Sequence, residues 1–270
     1  MKRTRILGVC LTAVFAAGAI TATGASAEPE EEYKLKNLPE IGRCVEATPM
    51  TGEYKNHFCV YGANGKGRNN WQSGPGAKKK FSGASLEAAT IETVKGRRIE
   101  CSTVAFEGEY TGPKTLKTKV LLIGCLEQAS KKTCQSTPAK KGEIEFEAEG
   151  GIGFIKSGEK PSVGVDIQIP NPTLFECGEL LEAVHYEMSG SFIGQVVKLN
   201  LMSTTFKIIL KVKSGKQIPQ MFESGLKDTI TLTHISGVEK ISEEAGLRAL
   251  SVDVENEEQL EIKARYIPKP

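Results

Sequence analysis

Apolar and polar residues alternate with a period of two along much of the second half of the chain. In residues 142–148, Ile144, Phe146 and Ala148 fall on one side of the alternation, and glutamates fall on the other. This pattern is typical of a β-strand with one buried and one solvent-facing side. The same alternation recurs in residues 163–169, 229–234, 250–255 and 260–264.

Other segments add strands of different character. Residues 203–213 are β-branched and predict one long strand, and residues 118–123 form a short apolar run typical of a buried strand. Residues 62–80 lack a core pattern and predict a loop, or two short strands with loops. Only residues 85–90 and 243–250 have weak helical character. The chain is therefore expected to be all-β, a sandwich or barrel of many short antiparallel strands.

The first 27 residues have the layout of a secretory signal peptide. Basic residues at the start precede an apolar run, and the segment closes on the A-x-A cleavage motif Ala25-Ser26-Ala27. A retained membrane anchor is the alternative. It is disfavoured because the apolar run covers roughly 15 residues, whereas a helix needs roughly 20 to span a bilayer. We therefore expect export, with a mature chain that starts near Glu28.

The mature chain divides into a short tail and a long β region. Residues 28–40 are acidic and polar and predict an exposed tail. Residues 41–270 are expected to form one large domain or two packed β subdomains. No apolar stretch in this region is long enough to span a membrane, so no membrane span is expected in the mature chain.

The charge balance is nearly neutral. The full chain has 35 lysines and arginines and 33 aspartates and glutamates, and the signal peptide carries three of the basic residues and no acid. The mature chain then has a net charge near −1, which provides no general attraction for nucleic acid.

Six of the seven cysteines lie beyond the predicted cleavage site. An even number in an exported chain predicts three disulfides. The sequence contains no C-x-x-C pair of the kind that binds a structural metal, so no metal site is expected. We predict the pairs Cys44–Cys59 and Cys125–Cys134, because their members are near in sequence. That leaves Cys101 and Cys177 to join distant strands.

A series of short motifs extends over nearly the whole chain. In order they are Gly42-Arg43-Cys44-Val45, Gly52-Glu53-Tyr54, Gly74-Pro75-Gly76, Ile99-Glu100-Cys101, Gly108-Glu109-Tyr110-Thr111-Gly112, Thr133-Cys134-Gln135-Ser136 and Phe175-Glu176-Cys177-Gly178. With this order the chain resembles an uncharacterised family of secreted, β-rich proteins that occur in many copies in some soil actinobacteria. The resemblance implies export and a shared disulfide core. It implies no activity and no catalytic residues.

Motifs for catalysis are absent from the sequence. The chain has three histidines, His57, His185 and His234, and no G-x-S-x-G, H-E-x-x-H or acidic calcium loop. His57 lies between two cysteines and is expected on the surface. His185 and His234 lie in strand patterns and are expected on sheet faces. No catalytic residue and no cofactor is therefore assigned.

One segment suggests binding. Tyr61, Arg68, Asn69, Asn70, Trp71 and Gln72 combine aromatic, amide and basic groups, which suit recognition of sugars or peptides. Since large aromatic residues are mostly buried, Trp71 is expected instead to anchor the core.

These observations favour a non-enzymatic protein, secreted or associated with the cell envelope, that binds an unknown extracellular ligand or envelope component. The ligand-binding residues cannot be named from the sequence. A secreted hydrolase with an unrecognised site is the alternative. A pocket with paired carboxylates, or a histidine beside a serine, would favour that alternative.

Overall fold

The computed structural model describes residues 37–85, 87–179, 182–223 and 225–265. These residues contain twenty β-strands and no α-helix. The first ten strands are β1 (Glu40–Glu46), β2 (Gly52–Tyr54), β3 (Gly62–Gly67), β4 (Asn69–Ser73), β5 (Lys80–Ser85), β6 (Ala89–Thr93), β7 (Arg98–Cys101), β8 (Thr103–Tyr110), β9 (Thr115–Ile123) and β10 (Leu126–Glu127). The other ten are β11 (Lys132–Ser136), β12 (Glu143–Lys156), β13 (Ser162–Cys177), β14 (Val184–Val197), β15 (Ser203–Lys213), β16 (Lys216–Ile218), β17 (Met221–Phe222), β18 (Leu226–Lys227), β19 (Ile230–Ser236) and β20 (Glu239–Lys263). The all-β prediction is confirmed.

Eight strands close into a ring, which we call the first ring. Its antiparallel pairings run β5–β8–β9–β12–β13–β14–β15–β20 and return from β20 to β5. Closure gives the backbone groups of each strand a partner on both sides, so the ring has no free sheet edge.

A second ring shares three long strands with the first. Its pairings run β6–β7–β10–β11–β13–β14–β19–β20 and return to β6. Because β13, β14 and β20 pass through both rings, the rings are parts of one continuous sheet. Of the two architectures expected from the sequence, closed rings correspond to the barrel.

Apolar side chains fill the interior of both rings. One core cluster includes Ile91, Ile99 and Met188 of the second ring and extends to first-ring residues such as Val120 and Phe146. The other includes Leu116 and Phe206 and belongs to the first. In the alternating strands, one set of side chains thus points into a ring and the other set points outward.

The N-terminal strands pack at one end of the first ring. β1 pairs with the end of β20, where Ile41 lies opposite Ile262, and also with β4. The predicted signal peptide lies outside the described residues. Of the tail predicted over residues 28–40, the last residues differ from the expectation: Leu38 and Pro39 are buried, and β1 already begins at Glu40.

Among the described residues, neither segment with weak helical character forms a helix. In residues 85–90, Ser85 ends β5 and Ala89 begins β6, whereas residues 243–250 lie within β20. Gly246 pairs with Glu92 across these strands, and a Cβ at Gly246 would lie 2.7 Å from Val212. The helical prediction was wrong because the pairing of β20 with its neighbours outweighs a weak local preference. Residues 62–80 contain β3 and β4, which confirms the alternative of two short strands.

A bulge shifts the alternation in residues 250–255. Ser251 has a positive φ of 61°, and the β15–β20 register shifts nearby. As a result Ala249 and Val252 are both buried, while Leu250 is only partly buried. The extra residue of a β-bulge shifts the alternation by one position, so that the apolar residues after it again point into the ring.

Three disulfides are present, and one has the predicted pairing. Cys44–Cys59 is confirmed, whereas the others are Cys101–Cys125 and Cys134–Cys177, so the predicted pairs Cys101–Cys177 and Cys125–Cys134 were wrong. The reason is strand register. Cys134 lies directly opposite Cys177 on β11 and β13, and the pairing of β7 with β10 brings Cys101 to Cys125. Distance along the chain is a poor guide when neighbouring strands are far apart in sequence.

Candidate functional site

Asp166 is a buried carboxyl group on the outer face of the first ring. It lies on β13 between Val165 and Ile167, which point into the ring, so alternation directs Asp166 outward. Only 4% of its surface is exposed. An outward-facing acid is ordinarily solvated, so something must cover this one.

The β17–β18 hairpin covers Asp166. This hairpin lies against a stretch of β12 that has no side chains on its outer face. Gly151 and Gly153 are on the outer face of β12, and a Cβ at Gly153 would lie 2.4 Å from the ring of Phe222. The Glu223 N–H donates to the Phe154 carbonyl at 2.9 Å, and the Phe154 N–H donates to the Glu223 carboxylate at 3.1 Å. The glycines therefore allow the hairpin to lie close against the wall.

One oxygen of Asp166 has no partner. Oδ2 accepts a hydrogen bond from Nε2 of Gln168 at 2.9 Å, while the buried Oδ1 accepts none. Burial raises the pKa of Asp166 to about 6; the Gln168 hydrogen bond opposes this, and the charge of Asp228 adds to it. A buried, unsatisfied carboxylate oxygen is costly, and such groups concentrate at functional sites.

A second carboxylate faces the same pocket. Asp228 follows the hairpin, and its Oδ1 accepts a hydrogen bond from the Ser191 hydroxyl at 2.8 Å. The Asp228 N–H donates to the Gln220 carbonyl at 2.9 Å, which fixes the end of the hairpin. We call the resulting space of about 310 Å³ the Asp166 pocket; it is lined by Glu149, Gly150, Gly151, Asp166, Gln168, Phe222 and Asp228.

The pocket is open enough for a small molecule and is negatively charged. Its volume lies at the lower end of the range for small-molecule sites. Its lining contains three carboxylates and no lysine, arginine or histidine. Glu149 is exposed and pairs with Lys117 at 3.1 Å, which leaves Asp166 and Asp228 as the charges inside.

The interior of the first ring is a less suitable site. It contains an apolar cavity of about 90 Å³, lined by residues such as Phe106, Val165 and Phe206. A cavity that holds benzene measures about 150 Å³. The side chains of the ring therefore fill most of the interior, and the space is a gap in core packing.

A charged cluster in the second ring forms hydrogen bonds among its own members. Arg97 donates to the Tyr186 hydroxyl at 2.8 Å and lies 4.0 Å from Glu127, whose other oxygen accepts a hydrogen bond from the Ser130 N–H at 2.7 Å. Burial would raise the pKa of Glu127, but the hydrogen bonds from residues 129–130 and the charge of Arg97 lower it. These contacts stabilise the ring.

The three histidines lie apart from the Asp166 pocket. His57 is exposed near Phe58, His185 is exposed with Nδ1 3.7 Å from Glu176, and the ring of His234 lies 5.7 Å from that of Tyr186. None of them lines the pocket. Among the residues described, no group of three or more histidines, cysteines, aspartates or glutamates is arranged to hold a metal ion.

Trp71 is half-buried on β4. Its ring packs over Gly42, where a Cβ would fall 2.1 Å from the ring, and the Lys263 ammonium lies 4.0 Å from the ring centroid. The indole N–H is buried without a hydrogen bond of standard geometry. Burial raises the pKa of Glu261, and the Lys263 charge and the Trp71 indole only partly oppose this rise. Trp71 thus supports the contact between β1, β4 and β20.

The other members of the predicted binding segment are dispersed. Tyr61 is 65% exposed, whereas Asn69 is buried, and the Asn70 side chain accepts a hydrogen bond from the Glu53 N–H at 2.9 Å. Gln72 accepts a hydrogen bond from Arg43 at 2.7 Å. Because the Asn70 and Gln72 side chains form hydrogen bonds to other residues of the protein, the structure does not bring this segment together as a binding surface.

Sequence reasoning missed the Asp166 pocket. In the sequence, Asp166 is only the polar side of an alternating strand. The glycines at positions 150, 151, 153 and 164 were the available signal, since glycine in a strand often marks a close approach by another segment.

Comparisons with family models, with curated proteins and with solved structures find no match to this chain. Among the residues that the structure describes, none belongs to a helix with the length and apolar composition needed to cross a membrane. The geometry of the Asp166 pocket is therefore the basis for a proposed function.

Proposed function

We propose that this protein is a secreted, non-enzymatic binding protein and that it holds a small ligand in the Asp166 pocket. The single observation that carries the proposal is the buried Oδ1 atom of Asp166, which has no hydrogen-bond partner beside a pocket of about 310 Å³. A ligand that donates a hydrogen bond to this oxygen would remove the cost of leaving it unpaired.

The proposed extracellular location has two supports. Three disulfides are typical of proteins from oxidising environments. The N-terminal segment ends in the cleavage motif Ala25-Ser26-Ala27. Membership of the secreted, β-rich family that the motif order resembles is part of the same proposal. The ligand would then be an extracellular small molecule or a component of the cell envelope.

A hydrolase is the second candidate, because Asp166 and Asp228 place two carboxylates at one pocket. A raised pKa suits a general acid. However, a glycosidase holds its two carboxylates on either side of a sugar ring. Asp166 is 4% exposed and lies beneath the β17–β18 hairpin, which leaves no room for a sugar ring between it and Asp228. This burial favours binding over hydrolysis.

The test is native mass spectrometry of the purified protein after incubation with the small-molecule fraction of bacterial culture media. We expect the wild type to retain a small molecule of unchanged mass and Asp166→Asn to lose it. Asp253→Asn is the matched control, because Asp253 is an exposed outer-face aspartate that pairs with Lys207 at 3.5 Å, away from the pocket. Retention of nothing, or equal retention by Asp166→Asn, would refute the proposal. Conversion of the retained molecule to a cleaved product would favour the hydrolase.

A further inference from the structure

We infer, on the basis of the proposed function, that the ligand of the Asp166 pocket is a small organic molecule with a primary ammonium group. The charge of the pocket is negative. With Glu149 paired to Lys117, the carboxylates of Asp166 and Asp228 face the pocket without a cationic side chain in its lining. Buried negative charge is stabilised when a cation approaches it, so the pocket favours a positively charged ligand.

The oxygen donors of the pocket suit an organic cation better than a metal ion. Calcium takes six to eight oxygen ligands, and magnesium requires a nearly octahedral set. Apart from Glu149, which pairs with Lys117, the pocket supplies two carboxylates, and one oxygen of Asp166 already accepts a hydrogen bond from Gln168. No larger cluster of acidic, histidine or cysteine side chains suited to a metal occurs in the described part of the chain.

The apolar side of the pocket indicates the organic part of the ligand. Phe222 lines the pocket beside the two aspartates, and Gly151 leaves the adjoining outer face of β12 without a side chain. An aromatic face attracts a cation and packs against an alkyl chain. The pocket therefore combines an acidic end with an apolar wall, which matches an amine attached to a short hydrocarbon.

The unpaired oxygen of Asp166 indicates the kind of ammonium. Oδ1 of Asp166 is an acceptor without a donor. A primary ammonium has three N–H donors, whereas a quaternary ammonium has none and would leave this oxygen unsatisfied. A primary amine is therefore preferred over a quaternary one of similar size.

The experiment measures binding of four probes by isothermal titration calorimetry near neutral pH. Butylammonium is the expected ligand, butanol is its neutral analogue, tetramethylammonium lacks N–H donors, and calcium represents the metal ions. We expect butylammonium to bind at least about tenfold more tightly than the other three, because a hydrogen bond to a charged group contributes on this scale. This comparison uses the wild-type protein and does not depend on the folding of any variant.

Variants then locate the site. We expect Asp166→Asn to weaken butylammonium binding at least about tenfold, and Phe222→Leu to weaken it less while keeping the apolar wall. Asp253→Asn should bind as the wild type does. Equal binding of tetramethylammonium or butanol, preferential binding of calcium, absence of butylammonium binding, or binding that survives Asp166→Asn would each overturn the inference. If native mass spectrometry still finds a molecule that requires Asp166, the inference fails and the proposed function stands.

Discussion

Gly151 lies directly opposite Asp166 in the register of β12 and β13. The absence of a side chain at Gly151 leaves the outer wall of the first ring bare beside a carboxyl group. Phe222 covers this bare strip, so that an outward-facing aspartate becomes buried. This pairing is the structural origin of the pocket and of the raised pKa of Asp166, and it leads to predictions about stability.

The stability of the protein should depend on pH through Asp166. The pKa of this carboxyl rises from 3.8 to about 6 on folding, so the folded state holds a proton that the unfolded state has lost in this range. The stabilising contribution of protonated Asp166 to the free energy of unfolding is therefore fully present below about pH 3.8 and is lost as the pH rises through about 6. This difference in pKa between the folded and unfolded states corresponds to about 3 kcal/mol in the free energy of unfolding.

Asp166→Asn cannot titrate and tests this dependence. Between about pH 4 and pH 7, the free energy of unfolding of Asp166→Asn should increase relative to the wild type by up to about 3 kcal/mol. Guanidinium unfolding of both proteins at several pH values measures the difference. Asp253→Asn serves as the control for loss of an exposed carboxylate. Parallel pH profiles for wild type and Asp166→Asn would show that Asp166 ionises normally.

Gly153→Ala should displace the β17–β18 hairpin. Its Cβ would lie 2.4 Å from Phe222 and 2.7 Å from Glu223, so the hairpin must move. We expect a loss of about 1–3 kcal/mol in stability and faster hydrogen exchange in the hairpin. Gly151→Ala is the matched control, because its Cβ would make only an ordinary contact with Phe222 at 4.0 Å. Equal exchange in the two variants would contradict the close packing.

Removal of the disulfides should follow a definite order. Loop lengths of 43, 24 and 15 residues for Cys134–Cys177, Cys101–Cys125 and Cys44–Cys59 predict losses of about 4, 3.5 and 3 kcal/mol in the chain-entropy model. The four cysteines of the first two pairs are buried, so replacement by alanine also removes core packing.

Pairwise replacement by alanine, followed by denaturant unfolding, measures these losses. Cys101→Ala and Cys125→Ala should lose equal stability as single variants, since each breaks the same bond. A Cys44–Cys59 knockout that is as destabilising as the Cys134–Cys177 knockout would contradict the expected order.

Trp71→Ala should destabilise the junction of β1, β4 and β20. Trp71 is half-buried, so we expect a loss of about 2–3 kcal/mol, which is below the 3–5 kcal/mol of a fully buried large aromatic residue. Part of this loss is the contact with the Lys263 ammonium. Tyr61→Ala is the control, since Tyr61 is 65% exposed and its replacement should change stability by less than about 0.5 kcal/mol. Similar melting temperatures for the two variants would refute a supporting role for Trp71.

The sequence alone was sufficient to predict strands wherever the burial pattern is local. Ile144, Phe146 and Ala148 alternate with glutamates, and the structure buries these three on β12. Six cysteines beyond the first 27 residues indicated three disulfides for a similar reason, because counting cysteines requires no knowledge of the fold. Neighbouring residues determine which side of a strand is apolar, and this information is present in any short window.

The tertiary structure decided everything that depends on which strands meet. Cys134 forms a disulfide with Cys177 because β11 lies beside β13. Separation along the sequence therefore did not predict two of the three disulfide pairings. Asp166 became a candidate site only when β12 supplied the glycines, β17 supplied Phe222 and the following segment supplied Asp228. These groups are separated by up to about 80 residues along the chain. Strand register and burial come from contacts between distant segments, so the local pattern around Asp166 predicted an ordinary solvated side chain.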